Sequence, residues 1–216
     1  MYFNFSRHNF IMATTCRDKK KTDDYIFLST LKHLNLNKKL VVSIKQTHSN
    51  KINFVKSPGF HNSFDGLITK KKYKLILVVK TADCVPIFIY DNNKGIYGVI
   101  HAGWRGVNKK IHIKAIKKFI KLDSNLCDIH VFLGPSIKEC CFEIKKDVVQ
   151  LFDDKFIENI NNKFFLDLNK CIKSDLNKVG INKIEVDKNC SYDIDKCHSY
   201  RRDGKLAGRM NSLIAY

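Results

Sequence analysis

A strand that runs directly into a helix is encoded by Gly98-Val99-Ile100-His101-Ala102-Gly103-Trp104-Arg105-Gly106. The segment Ile96–Ile100 is rich in β-branched and aromatic residues, which predicts a short strand. From Val107 onward, apolar residues recur at four-residue spacing with lysines opposite, which predicts an amphipathic helix ending near Lys121. Arg105 is therefore predicted at the helix N-terminus, where free N–H groups, the helix dipole and a guanidinium would together favour an anion.

The same patterns predict further elements on both sides of this segment. Asp91–Gly95 is rich in turn residues and predicts a hairpin loop. Five more strands are predicted at Leu40–Lys45, Leu75–Lys80, Val85–Tyr90, Ile129–Leu133 and Ile181–Val186. Two weaker helices are predicted at Asp147–Phe152 and Asn169–Val179, the second with Gly180 as its C-cap. The sequence thus predicts an α+β (mixed α/β) fold, a single layered domain over residues 1–216 with mixed sheets flanked by helices.

The composition of the 216 residues, 44% hydrophobic and 28% charged, is that of a globular protein and excludes disordered and fibrous classes. No apolar stretch approaches the roughly 18 residues that a membrane helix needs, and residues 1–9 do not resemble a secretory signal. We therefore expect a soluble cytoplasmic protein with no membrane partner. In such a protein the eight cysteines should be reduced thiols rather than a disulfide framework.

The net charge of +18 would suit a polyanion, but its distribution argues against a nucleic-acid interface. Only six of the 39 basic residues are arginine, and the lysines are spread along the chain among many asparagines, so no specific nucleic-acid partner is expected. Four arginines, by contrast, fall in two short glycine-containing segments: Arg105, Arg201, Arg202 and Arg209. Because this chain uses lysine for most of its positive charges, arginine at these positions indicates a need for the planar guanidinium.

Three residues that can bind a metal follow predicted strands: His48, Cys84 and His101. Their separations are too wide for a closed zinc knuckle but suit an open three-ligand catalytic site. Each histidine could instead be an ordinary structural or surface residue, and Cys84 could be a packed thiol or a nucleophile. Asp83 could orient a neighbour, carry a proton or make a hydrogen bond at the strand end.

Together these segments resemble the multicopper polyphenol oxidase or laccase-like proteins, which are also described as purine nucleoside phosphorylases and include the bacterial YfiH-type proteins. The resemblance runs in order from about residue 40 to the end of the chain. Its motifs are Gln46-Thr47-His48-Ser49, Asp65-Gly66-Leu67-Ile68-Thr69, Thr81-Ala82-Asp83-Cys84-Val85-Pro86, His101-Ala102-Gly103-Trp104-Arg105-Gly106, Gly134-Pro135-Ser136-Ile137 with Cys140-Cys141-Phe142-Glu143, and Ser199-Tyr200-Arg201-Arg202-Asp203-Gly204 with Gly208-Arg209.

The resemblance implies a YfiH-like fold and a metal, Zn²⁺ or alternatively copper, bound by His48, Cys84 and His101. It also implies two activities: phosphorolysis of adenosine, inosine, guanosine and methylthioadenosine, and hydrolytic deamination of adenosine to inosine. Zinc would supply the hydroxide for deamination by lowering the pKa of water to about 7. Departures from the family pattern at Lys138, Cys197, His198 and Ala207 affect the expected shape of the pocket rim more than the three metal ligands.

The expected partners are purine nucleosides and phosphate, and we expect a monomer or a dimer. The candidates for binding substrate or phosphate are Arg105, Arg201, Arg202 and Arg209. Two alternatives remain open, because thiolate and imidazole ligands accept copper and zinc alike. One is a copper-dependent polyphenol oxidase, and the other is a metal-free hydrolase with Cys84 as nucleophile and His101 as its base.

Overall fold

The computed structural model describes residues 1–216, which form fifteen strands and six α-helices. The strands are β1 (Tyr2–Asn4), β2 (Ile11–Thr15), β3 (Val41–Lys45), β4 (Ile52–Phe54), β5 (Gly59–Asn62), β6 (Gly66–Lys70), β7 (Ile76–Thr81), β8 (Val85–Asp91), β9 (Ile96–Ala102), β10 (Ile129–Leu133), β11 (Glu143–Ile144), β12 (Ile157–Ile160), β13 (Lys163–Leu166), β14 (Lys183–Val186) and β15 (Met210–Ala215). The helices are α1 (Asp23–His33), α2 (Trp104–Asn108), α3 (Ile111–Lys121), α4 (Lys146–Val149), α5 (Leu168–Lys178) and α6 (Tyr200–Asp203).

Two six-stranded mixed sheets form the centre of the fold. The first has the order β1-β2-β15-β7-β3-β5, and the second has the order β14-β10-β8-β9-β6-β4. In the first sheet β3 is parallel to both β5 and β7, whereas β15 is antiparallel to its neighbours. In the second sheet β8 and β9 form the predicted hairpin around Asp91–Gly95. A small antiparallel sheet, β11-β13-β12, lies outside these two.

Helices and sheets form four layers, with a hydrophobic core at each of the three interfaces between them. Side chains such as Met12, Leu77, Phe88 and Tyr97 pack between the two large sheets. The outer face of the second sheet packs against α3 and α5, and the outer face of the first packs against α1. Because both faces of the second sheet are covered, every residue of β8 and β9 is buried, which explains their continuous apolar sequences.

The six predicted strands are all present, and the predicted α+β arrangement with mixed sheets and flanking helices is confirmed. Helix α5 ends as expected, with Gly180 in a left-handed conformation at φ +89° just after the last turn. The prediction of one continuous helix from Val107 to Lys121 is wrong, because Lys110 has a φ of +56° and separates the short α2 from α3. None of the six helices combines the length and the apolar character that a membrane span requires.

Tyr97 connects the two large sheets through a buried hydrogen bond, its hydroxyl donating to the Leu75 carbonyl at 2.6 Å. Tyr97→Phe leaves that carbonyl without its donor, so we expect the free energy of unfolding to fall by about 1–2 kcal/mol. Urea unfolding of the purified variant measures this. Tyr25→Phe, at an exposed ring, is the control and should change stability by less than about 0.5 kcal/mol. Equal stabilities for the two variants would contradict the role of this hydrogen bond.

Candidate metal centre

The candidate site lies where three chain segments leave the two large sheets. His48 follows β3, Cys84 lies in the connection from β7 in the first sheet to β8 in the second, and His101 is near the end of β9. His48 and Asp83 both have positive φ angles, +54° and +91°, in the tight turns that end their strands. The fold therefore brings together the three residues that the sequence predicted as ligands.

The donor atoms of His48, Cys84 and His101 all lie within 4.8 Å of one another. The Nε2 atom of His48 is 3.9 Å from the Cys84 sulfur, and the two imidazole rings meet edge to face with centroids 4.8 Å apart. Gly103 makes this approach possible, since a Cβ atom there would lie 2.8 Å from the Cys84 sulfur and 3.1 Å from Cδ2 of His48. Any side chain at position 103 would thus push against two of the three donors.

Asp65 is fully buried and holds two of the segments in place. One of its oxygens accepts from Nδ1 of His101 at 2.9 Å and from the backbone N–H of His48 at 3.0 Å. The other accepts from the backbone N–H and the hydroxyl of Ser49, both at 2.6 Å. Because Nδ1 of His101 is engaged by Asp65, its Nε2 is the nitrogen left to act as a ligand.

The three donors and Asp65 are strongly coupled electrostatically. Burial opposes ionisation of the Cys84 thiol, but the imidazoles of His101 and His48 outweigh it and lower the pKa of Cys84 to about 6. Burial also opposes protonation of His101, yet the Cys84 sulfur and Asp65 raise its pKa to about 9. Hydrogen bonds from His101 and Ser49 overcome burial and hold the pKa of Asp65 well below its usual value. The site thus favours a thiolate beside an imidazolium when no cation is bound.

The donor set fits a zinc-sized ion. Zinc binds sulfur at about 2.3 Å and nitrogen at about 2.0 Å with tetrahedral geometry, which separates such donors by about 3.5 Å. The 3.9 Å between Cys84 and His48 needs only a small adjustment to reach that value. Three ligands would leave a fourth position free, and all three residues line an open cavity, so the arrangement has the form of a catalytic rather than a structural zinc site.

The cavity has a volume of about 650 Å³, within the range of small-molecule sites. Three arginines line it, and each lies over an aromatic ring: Arg105 over Trp104 at 4.2 Å, Arg201 over Phe142 at 5.5 Å and Arg209 over Tyr200 at 5.9 Å. The arginines that form ion pairs with carboxylates are the other three, Arg7, Arg17 and Arg202. The cavity rim therefore carries three guanidinium charges without carboxylate partners.

Arg202 differs from the other predicted anion-binding arginines. It is not part of the cavity lining, and its guanidinium donates to Asp203 and to the backbone carbonyls of Ser191, Tyr192 and Cys197. We therefore assign Arg202 to the support of the 191–203 segment, which corrects its inclusion among the candidates for substrate binding.

Two further expectations change with the structure. Arg105 lies in the first turn of α2, which has only five residues, so the long-helix dipole expected there is absent. Asp83 lines the cavity, but both of its carboxylate oxygens are engaged: one accepts from the Ser191 hydroxyl and the other from the Arg201 backbone N–H, each at 2.7 Å. These contacts match the strand-end hydrogen bonding considered for Asp83 and give it a positioning role.

Two features of this site are not predicted from the sequence. Asp65 lies in one of the family motifs, but no local pattern gives it a role, because its partners come from the 47–49 loop and from β9. Phe142 and Tyr200 also lie in motifs, and no local pattern shows that distant chain segments bring their rings to the same cavity as Trp104. The cluster of three donors does not include the histidines His8, His33, His61, His112 and His130.

Comparison with known proteins gives consistent results. The family model described as multi-copper polyphenol oxidoreductase laccase matches residues 5–216. The chain is 39% identical over 188 residues to a protein of Clostridium acetobutylicum named purine nucleoside phosphorylase, covering 82% of this chain and 78% of that one. It is 31% identical over 172 residues to a protein of the same name from Borreliella burgdorferi, covering 76% and 75%. The crystal structure of the hypothetical protein YfiH from Bacillus licheniformis shares the fold, with a TM-score of 0.85 at 24% identity, covering 95% of this chain and 92% of that chain.

Gly103→Ala tests the close packing of the three donors. The added methyl group displaces the Cys84 sulfur, so we expect affinity for Zn²⁺ to fall by about 10- to 100-fold, the range seen when the support of a ligand is disturbed. Competition with a chromophoric chelator measures the affinity. Gly106→Ala is the matched control, because its Cβ would come no closer than 3.4 Å to any neighbour. Unchanged affinity in Gly103→Ala would contradict the geometry described above.

Proposed function

The chain belongs to the multi-copper polyphenol oxidoreductase laccase family, as its motifs indicated, and we propose that it is a metal-dependent purine nucleoside phosphorylase. We extend this proposal to the hydrolytic deamination of adenosine to inosine at the same site. The observation that carries it is the meeting, in one cavity, of a three-donor metal cluster and three arginines that have no carboxylate partner. The relatives named purine nucleoside phosphorylase support the substrate class.

In this proposal His48, Cys84 and His101 hold the metal ion, which we take to be Zn²⁺. A bound zinc ion would supply a Lewis acid and would lower the pKa of water at its open position. The protein's contribution is to fix the ligands. Asp65 orients the His101 ring through Nδ1 and shapes the 47–49 loop that carries His48, and Gly103 leaves room for the thiolate.

Phosphorolysis of a nucleoside requires the nucleoside and phosphate to be bound side by side, so that the glycosidic bond breaks as the bond to phosphate forms. Arg105 is the best placed residue to hold phosphate, because it is exposed and its guanidinium lies over the face of Trp104. The Arg201 and Arg209 guanidiniums already donate to backbone carbonyls, so they would add positive potential more than direct hydrogen bonds.

The purine base is a flat aromatic group, and the cavity offers surfaces that suit it. The rings of Trp104, Phe142 and Tyr200 line the wall together with Ile137 and Leu168. Aromatic rings bind bases by stacking, with a contribution of about 1–3 kcal/mol per base. Stacking would also shield the reacting bond from water, which favours transfer to phosphate over hydrolysis.

One observation favours a second candidate function. A Cys84 thiol with a pKa of about 6 beside His101 is an activated nucleophile of the kind found in metal-free cysteine hydrolases. The same pair also matches the needs of a metal site, since a thiolate is the ligand form of cysteine. A chelator distinguishes the two, because only the metal-dependent reaction is lost when the ion is removed.

The primary test incubates protein purified without chelators with adenosine, in the presence and absence of phosphate, and identifies products by mass spectrometry. With phosphate we expect adenine and ribose 1-phosphate, and without phosphate we expect inosine and ammonia. Both activities should fall at least about 100-fold when the metal is removed by a chelator and also in Cys84→Ala. Adding Zn²⁺ to the chelated wild-type protein should restore them. Cys127→Ala, at an exposed cysteine outside the cavity, is the control and should behave as wild type.

Three other outcomes would contradict the proposal or favour an alternative function. No turnover of any purine nucleoside by metal-replete protein, with Cys84→Ala matching wild type, contradicts the proposal. Turnover that survives chelation but disappears in Cys84→Ala supports the thiol mechanism. Oxidation of phenols by copper-loaded protein, without nucleoside turnover, supports the polyphenol oxidase alternative.

Arg105→Gln tests the phosphate site. Loss of a charged hydrogen bond should raise the KM for phosphate by about 10- to 100-fold, while adenosine deamination, which uses no phosphate, should change by less than about 2-fold. Steady-state kinetics with varied phosphate measure the first effect, and ammonia release measures the second. Arg7→Gln, at an exposed ion pair with Glu185, serves as the control for loss of one positive charge. An equal loss of rate in phosphorolysis and in deamination would show that Arg105 does not act by binding phosphate.

A further inference from the structure

A second group of potential metal ligands lies outside the cavity lining. It consists of the thiols of Cys140, Cys141 and Cys190 and the carboxylate of Asp193, called here the thiol cluster, whose donor atoms all lie within 4.8 Å of one another. The Cys140 sulfur is 3.1 Å from that of Cys141, 3.8 Å from that of Cys190 and 3.7 Å from Oδ2 of Asp193. The Cys141 sulfur is 3.3 Å from Oδ1 of Asp193. The proposed function uses none of these groups.

Backbone contacts fix the two segments that carry the cluster. Cys140 and Cys141 lie in a turn closed by hydrogen bonds from the N–H groups of Cys141 and Phe142 to the Lys138 carbonyl. Cys190 forms an isolated bridge with Ser136, and Asp193 follows in a turn in which the Ile194 N–H donates to the Cys190 carbonyl at 3.1 Å. Four donors from segments 50 residues apart are therefore directed to one point by ordered backbone.

The spacing of the donors matches tetrahedral coordination. In a tetrahedral zinc site with sulfur ligands at about 2.3 Å, neighbouring sulfurs are about 3.8 Å apart, which is the distance from Cys140 to Cys190. Oδ2 of Asp193 is 3.7 Å from the Cys140 sulfur and Oδ1 is 3.3 Å from the Cys141 sulfur, near the same value, whereas the Cys140–Cys141 pair at 3.1 Å must widen. Cys190 and Asp193 are separated by two residues, the spacing typical of a pair of ligands in structural zinc sites.

We propose that the thiol cluster is a second metal site, which binds one Zn²⁺ through three thiolates and the Asp193 carboxylate. With four protein ligands it is a closed structural site, unlike the open three-donor centre in the cavity. Three of the four ligands are sulfur, so the site selects soft or borderline ions such as Zn²⁺ over Mg²⁺ and Ca²⁺.

Zinc binds cysteine as the thiolate, so a bound Zn²⁺ would replace the protons of the three thiols. It would also offset the repulsion among the four negatively charged ligands.

The cluster is connected to the cavity through two contacts. Ser191, next to Cys190, donates to Asp83 beside Cys84. Arg201 on the cavity rim donates to the carbonyls of Cys141 and Glu143 at 3.4 and 2.8 Å. An ion that ties the 140–141 turn to the 190–193 turn thus also steadies Asp83 and Arg201.

A disulfide explains the cluster less well. A bond needs sulfurs about 2.05 Å apart, whereas the Cys140 sulfur is 3.1 Å from that of Cys141 and 3.8 Å from that of Cys190. Any one disulfide among the three would also leave the third thiol and Asp193 without a partner.

The test counts zinc ions by native mass spectrometry in a protein without the cavity centre, so that it does not depend on the proposed function. Cys84→Ala should retain one tightly bound Zn²⁺ per chain, and Cys84→Ala/Cys190→Ser should bind it at least 100-fold more weakly. Co²⁺ in place of Zn²⁺ should give intense sulfur-to-metal charge-transfer absorption in the first protein and much weaker absorption in the second. Cys84→Ala/Cys127→Ser, which removes an exposed cysteine outside both clusters, should match Cys84→Ala.

Folding is followed in parallel, because Cys190 is buried. Asp193→Asn, at an exposed position, provides a milder variant and should weaken Zn²⁺ binding about 10-fold or more in the Cys84→Ala background, with unchanged circular dichroism. Added Zn²⁺ should raise the Tm of Cys84→Ala. The proposal is overturned if Cys84→Ala binds no Zn²⁺, if Cys190→Ser leaves binding unchanged, or if the purified protein has lost two mass units and contains a disulfide within the cluster.

Discussion

The buried carboxylate of Asp65 is the constraint on which the site depends. A buried charge is tolerated only when hydrogen bonds or counter-charges satisfy it, and here the donors come from the 47–49 loop after β3 and from His101 in β9. These elements belong to different sheets. The energetic requirement to satisfy one carboxylate therefore also sets the distance between the two imidazoles, and the same group that stabilises the fold orients the proposed ligands.

The remaining donor comes from the place where the chain changes sheets. Between β7 and β8 only Ala82, Asp83 and Cys84 connect one layer to the other, so this crossing is short and its conformation is tightly restricted. Asp83 takes a positive φ there, and its carboxylate fixes Ser191 and Arg201. The proposed ligand, the rim arginine and the segment that carries Cys190 are consequently positioned by neighbouring residues of one turn. This arrangement links the geometry of the cavity to that of the thiol cluster.

The parts of this structure that sequence could predict are those determined by local patterns. The strands β8 and β9 are recognised because burial on both faces favours a continuous apolar sequence. β15 is not predicted although it is wholly buried, because Asn211 and Ser212 make its sequence appear polar. In the fold the Ser212 hydroxyl lies 2.9 Å from the Thr14 hydroxyl, and the backbone N–H of Asn211 donates to the Thr15 hydroxyl. The break between α2 and α3 at Lys110 is not predicted, because the spacing of apolar residues continues across it. Asp65 and the thiol cluster depend on contacts between distant segments, which no local pattern reports.

The six arginines show how one residue type serves two physical purposes in a lysine-rich chain. Arg202 uses its planar fork to reach several carbonyls and a carboxylate at once, which an ammonium group with three donors at one nitrogen could not do in the same geometry. Arg105, Arg201 and Arg209 instead lie over aromatic rings, where a flat, weakly hydrated cation stacks well. Stacking orders all three guanidiniums; at Arg105 it leaves the N–H groups at the edge available, whereas Arg201 and Arg209 also donate to backbone carbonyls. The positive charge of such a rim attracts anions, because its arginines are not neutralised by ion pairs with the protein's own carboxylates. A phosphate-using enzyme requires this property.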